Sequence, residues 1–188
     1  SVYNMQTGTF DFAKGAIMHH IILADEINRT SPKTQASLLE AMEEGQVTVD
    51  GKIYRIEQPF MVIATQNPID FLGTYNLPEA QLDRFLMKIS LGYPDNEHEI
   101  KMVSHFLHGI AAEDVKPVIT EEILLAMQRE VLQVQVHNDL ITYIVQIVEA
   151  TRGSEQLVLG ASPRATLALI KASMACAYMR GRNYVIPD

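Results

Sequence analysis

Two short apolar runs stand out in the first third of the chain, Ile21-Ile22-Leu23-Ala24 and Phe60-Met61-Val62-Ile63-Ala64-Thr65. Each breaks off into polar residues, the first into Asp25-Glu26 and the second into Gln66-Asn67 ahead of Pro68. Uninterrupted apolar runs of this length predict strands buried on both faces, as in a parallel sheet. Between them, Ser31 and Pro32 start a helix: a hydroxyl to cap it, then a proline where no N–H is needed. Leu38, Leu39 and Met42 form that helix's apolar face, and Gly45 stops it. Asp50-Gly51 between two β-prone arms (residues 46–49 and 52–55) predicts a tight hairpin. Strand, helix, strand implies a right-handed crossover and two parallel neighbours. Their polar tips would then lie side by side at one sheet edge.

The remaining pattern is read the same way. Residues 3–12 alternate around Gln6-Thr7-Gly8 and predict a small hairpin, with Gly15 turning the chain into the first apolar run. A short helix begins at Pro78 and carries Arg84 near its end, and residues 87–91 read as a third strand. Asp95 caps a helix with Ile100, Val103 and Phe106 on one face. From there the pattern is helical: one helix capped by Thr120, a short extended piece at residues 134–136, one capped by Asn138, and one starting at Ser162-Pro163. The last runs through Leu167, Ile170, Met174 and Tyr178 to Gly181. An α/β part over residues 1–94 and an all-α part over residues 95–188 follow from this shift.

Composition narrows the class. At 188 residues, 47% hydrophobic and 20% charged, the chain is an ordinary globular sequence with room for a sizeable core. A formal charge of −8 argues against nucleic acid held by bulk electrostatics. One cysteine, Cys176, excludes an internal disulfide and fits a reducing cytoplasm. No apolar run is long enough to span a bilayer. The start at Ser1, inside a patterned segment, and the end at Pro187-Asp188, resembling a helix cap, predict a piece of something longer.

Candidate chemistry concentrates at the strand tips. In open α/β sheets the ligand sits beyond the carboxyl ends of the strands, where Asp25 and Glu26 emerge. Adjacent acids there suit nucleotide hydrolysis, with Asp25 holding Mg²⁺ and Glu26 polarising an attacking water. Taken by itself the pair also reads as a strand ending in a solvated acidic turn. An amide at Asn67 can orient a water or touch a phosphate, or simply favour a turn. Arg164, in a helix's first turn, opposes the helix dipole. An anionic ligand would give that cation a reason, and a solvated arginine would need none. His19 and His20 face opposite ways along a strand, which speaks against a shared metal. His98, His105 and His108 share a helix region, but no carboxylate or cysteine pattern supports a metal there.

The strings ILADEINRTSPKTQASLLEAMEEGQVTVDGK, MVIATQNP, LPEAQLDRFLMKI, GASPRA and GRNYVIPD, in that order, resemble the MoxR-type AAA+ ATPases over nearly the whole chain. The resemblance implies a partial P-loop-type AAA+ core over residues 1–94, carrying β-hairpin insertions, and a helical lid over residues 95–188. It implies ATP and Mg²⁺ as ligands, with Asp25 and Glu26 as the Walker B pair and Asn67 as sensor 1. Arg84 matches the arginine finger, which reaches a neighbouring subunit's nucleotide, and Arg164 matches sensor 2, delivered from the lid. The Asp50-Gly51 hairpin matches the pre-sensor-1 insertion, and residues 3–17 the helix-2 insertion. Arg29 belongs to the family's string without a role to carry over. Such proteins form hexameric rings in the cytoplasm and remodel other proteins, often beside von Willebrand A domains.

One departure weighs on that reading. No Gly-rich loop ending in Gly-Lys-Ser/Thr occurs in the chain, so no backbone cradle or lysine for the β- and γ-phosphates is present. In the family that loop precedes the point where this sequence starts, along with the first two strands of the sheet, the first of which lies between the second and third strands read here. Two functional classes follow: part of an ATPase that hydrolyses ATP to remodel partners, and a non-catalytic interaction module that kept only the lid and ring surfaces. The joint presence of Asp25, Glu26, Asn67, Arg84 and Arg164 favours the first.

Overall fold

The computed structural model describes residues 2–4, 9–11, 15–67, 75–108 and 116–188. Strands β1 (Val2–Asn4) and β2 (Thr9–Asp11) pair antiparallel, giving the N-terminal hairpin; its expected turn at residues 6–8 lies outside the described residues. Strand β3 (Ile21–Ala24) leads through a 3₁₀ turn at Ile27–Arg29 into helix α1 (Pro32–Glu44). Ser31 caps α1 by accepting from the Thr34 N–H at 3.3 Å. Gly45, at φ 62°, ends it in the left-handed conformation that glycine adopts without a Cβ penalty. Strands β4 (Gln46–Val49) and β5 (Lys52–Arg55) form the second hairpin, with Asp50 and Gly51 both at positive φ as a type I′ turn requires. Strand β6 (Met61–Ala64) then pairs parallel with β3 in the register Ile21↔Met61 to Ala24↔Ala64.

This register sets the two strand tips level with each other. Helix α1 covers one face of the β3–β6 pair, where Ile27, Leu38, Leu39 and Leu77 are buried against Ile22, Ala24, Val62 and Ala64. Short helix α2 (Glu79–Leu82) brings Leu82 and Phe85 onto the same cluster.

Two expectations are corrected. Neither strand is buried on both faces: Ile21 and Leu23 are 68% and 67% exposed, and Met61 and Ile63 share that bare side. Burial alternates because α1 covers one side and no described element covers the other. Residues 87–91 form no strand, and Met87, Ile89 and Leu91 are exposed. A strand exists through its ladder to a neighbour, and no described strand lies alongside these residues.

Helix α3 (Asn96–Leu107) is capped by Asp95, which accepts from the His98 N–H at 2.9 Å. Its stripe of Ile100, Val103 and Phe106 is exposed. Helices α4 (Glu121–Val131), α5 (Asn138–Arg152) and α6 (Pro163–Met179) pack as a small bundle. The cap of α5 is His137, one residue before the expected Asn138. The extended piece is present as a parallel bridge between Gln135 and Tyr184, with Val134, Ala177 and Val185 buried around it. Among the described residues no helix is long and apolar enough to cross a membrane.

Candidate functional site

At the tips of β3 and β6 one side chain ties the candidate acids together. The Thr65 hydroxyl donates to Asp25 Oδ1 at 2.6 Å and accepts from the Glu26 N–H at 2.8 Å. Around it the backbone closes on both sides, with Thr65 N–H to Ala24 O and Ile27 N–H to Thr65 O, each 3.0 Å. Glu26 takes φ 48°, ψ 50°, a left-handed conformation uncommon for residues other than glycine. The bend turns the chain out of the strand at the point where its two carboxylates emerge. Arg29 Nε lies 3.2 Å from Glu26 Oε2, which gives that arginine a structural partner.

Beneath the tips lies a buried polar frame. Asn28 is 2% exposed; its Nδ2 donates to the Asn67 carbonyl at 3.3 Å, and its own carbonyl accepts from the Tyr75 N–H at 2.6 Å. Gln35, 3% exposed, donates to the carbonyls of Ile27 (3.1 Å) and Tyr75 (2.8 Å). Unpaired buried amide groups cost stability. Here Asn28 Nδ2 and Gln35 Nε2 are bonded to backbone carbonyls and hold the turn, while the buried Asn28 Oδ1 has no hydrogen-bond partner among the described residues. Asp25, Glu26 and Asn67 are thereby brought to one edge, as the crossover predicts. A single carboxylate oriented by a hydroxyl fits Mg²⁺, which completes its octahedron with waters and phosphate oxygens rather than a protein cage.

The two candidate arginines are elsewhere. Arg84 Nη1 pairs with Glu43 Oε2, and Arg164 Nη2 pairs with Glu43 Oε1. Glu43 stands in the last turn of α1, about 12 Å along the axis from Gln35 at 1.5 Å per residue. The neighbouring Asp83 accepts the Ser162 hydroxyl on both carboxylate oxygens, at 2.8 and 2.7 Å, and its Oδ2 lies 3.7 Å from Arg164 Nη1. The anion that a first-turn cation calls for is therefore supplied within the chain, by Glu43 and Asp83. A second bridge joins the halves: His20 Nδ1 donates to the Pro59 carbonyl at 2.9 Å while Nε2 lies 3.4 Å from Glu121.

Sequence reasoning missed Thr65, Asn28, Gln35, Glu43 and Asp83. Gln35 carried a signal, being a polar residue in the same helical stripe as Leu38, Leu39 and Met42. Thr65 becomes visible only once the register sets it opposite the Ala24-Asp25 junction. Two cavities of about 300 and 230 Å³ lie in the helical part, and neither is lined by a residue of either cluster.

Comparison with known proteins gives a consistent picture. Residues 1–87 match the family described as "ATPase family associated with various cellular activities (AAA)", and residues 149–188 match an AAA lid domain. The chain is 51% identical to the uncharacterised YeaC protein of Bacillus subtilis, covering 100% of this chain and 59% of that one. It is 42% identical to the chaperone MoxR1 of Mycobacterium tuberculosis, covering 100% and 52%. A crystal structure from Cytophaga hutchinsonii, provisionally named an ATPase, superposes with a TM-score of 0.86 at 38% identity over 99% of this chain and 59% of that one. The chain thus spans between about half and three fifths of the length of these relatives.

Proposed function

The chain belongs to the MoxR-type AAA+ ATPases, and we propose that it carries the hydrolytic and neighbour-sensing half of their ATP site. The observation that carries the reading is the pair of level strand tips, with Thr65 holding Asp25 and Glu26 together. In this reading residues 1–94 are the core's later part and residues 95–188 the lid. A phosphate loop from outside these 188 residues completes the site.

Each residue then has a task. Asp25 offers a carboxylate oxygen to Mg²⁺. Glu26, turned out of the strand, takes a proton from the attacking water. Asn67, at the adjacent tip, orients that water against the γ-phosphate. Arg84, and with it Arg164, face the nucleotide of the next subunit, where a guanidinium offsets charge developing on the transferred phosphoryl. Mg²⁺, when bound, neutralises charge on the β- and γ-phosphate oxygens. A ring, hexameric in this reading, turns hydrolysis into remodelling of a partner protein, and von Willebrand A domain proteins are candidate partners. The chaperone name of one relative supports that direction.

The test joins the chain to a phosphate-loop segment and substitutes the acids one at a time. Glu26→Gln fills the same space but cannot accept a proton, so nucleotide binding stays and hydrolysis falls by about 10²-fold or more. Asp25→Asn instead weakens Mg²⁺-dependent binding. The 188-residue chain by itself should show no measurable ATP turnover. Hydrolysis by Glu26→Gln at the parental rate would remove the catalytic assignment. No turnover from the parental joined protein would favour a non-catalytic interaction module.

A further inference from the structure

The most unusual side-chain arrangement outside the strand tips is one carboxylate shared by two arginines from opposite halves of the chain. Glu43 gives one oxygen to Arg84, which follows α2 in the core, and the other to Arg164, in the first turn of α6. Asp83 adds a second carboxylate beside Arg164, and it receives the hydroxyl of Ser162, the cap of α6. The cluster is neutral: two guanidinium groups against two carboxylates.

Two guanidinium groups this close repel each other unless a negative charge stands between them. Glu43 is that charge, and it sits on a helix that is itself locked to the strand tips by Gln35. It engages one nitrogen of each arginine, whereas a guanidinium carries five N–H donors over three nitrogens. Both arginines therefore keep donors for a phosphate while their spacing is set. Asp83 and Ser162 reinforce the arrangement from the lid side, because a carboxylate at the N-terminus of α6 complements the helix dipole.

We propose that Glu43 is a positioning residue that makes Arg84 and Arg164 a single unit, so that core and lid present both guanidinium groups together to the neighbouring subunit's nucleotide. This rests on the reading of Arg84 and Arg164 given above.

Complementation in mixed rings of the joined protein tests it. The control mixes Glu26→Gln with Arg84→Ala subunits, each inactive alone; recovery of ATPase activity establishes that Arg84 works across the interface. Glu43→Gln alone should lose on the order of 10²-fold in kcat, as expected for a misplaced catalytic contact, with KM for ATP near the parental value. Mixed with Glu26→Gln subunits it should recover activity; mixed with Arg84→Ala or Arg164→Ala subunits it should not. That grouping separates positioning from mere loss of stability, because a general folding defect would recover with neither partner. Sedimentation confirms that every mixture assembles. If the control recovers and Glu43→Gln with Glu26→Gln does not, the proposal is overturned. Glu43→Gln with parental or raised kcat also overturns it, the latter showing that Glu43 masks the arginines instead of arranging them. Failure of the control alone would strike the reading of Arg84 and not the role of Glu43 in joining the two arginines. In that case Glu43→Gln must still release α6, seen as faster amide exchange in residues 164–166 than in the parent, or the proposal falls too.

Discussion

The strand-tip cluster and the arginine cluster are built by different means. At the tips, position comes from the main chain: parallel register, a left-handed turn, and buried amides bonded to backbone carbonyls. At Glu43, position comes from long, half-exposed side chains meeting across 121 residues of sequence. Main-chain ladders resist salt and small perturbations, whereas ion pairs near the surface are screened and individually weak. In the proposed reading, this difference keeps the residues assigned to water activation fixed while the arginines' contact to a neighbouring subunit makes and breaks.

Substitutions at three positions would break or sharpen that contrast. Ile27→Ala removes a side chain that is 2% exposed and packed beneath the turn, and should cost about 2–5 kcal/mol. Urea denaturation measures it; a loss under 1 kcal/mol would mean the tips do not depend on the core. Thr65→Val deletes both hydroxyl bonds at constant shape and should cost about 1–2 kcal/mol, while Thr65→Ser keeps the hydroxyl and most of the stability. Faster exchange of the Glu26 amide in the valine variant alone is the accompanying signature. Arg164→Ala should cost less than about 1 kcal/mol at low salt and close to nothing at high salt. Denaturation at two ionic strengths decides it, and a salt-independent loss would place this contact in the same class as the tips.

Much of this was legible in sequence because it is written in local chemistry. Ser31-Pro32, Gly45 and Asp50-Gly51 each demand a backbone conformation that the neighbouring residues then adopt. The apolar runs ending in Asp25-Glu26 and Gln66-Asn67 marked two strands and one shared edge. What the runs could not say is what lies against them: whether Ile21 and Leu23 are covered depends on an element elsewhere, and residues 87–91 need a neighbour to become a strand. Glu43 was illegible for a related reason. One acid among Glu40, Glu43 and Glu44 on a helix gives no hint that Arg84 and Arg164 converge on it.

The backbone at Glu26 sets stability against the chemistry proposed for it. A glycine would occupy its left-handed turn without steric cost, whereas a side chain bearing a Cβ is held there at a cost of order 1–3 kcal/mol. The hydrogen bonds through Thr65 and the backbone around it keep the chain in that bend. The most relaxed residue for this corner is thus one with no side chain at all, whereas the role proposed for Glu26 needs a carboxylate on it. In this region of the fold, thermodynamic ease and the proposed activation of a water place competing demands on a single position.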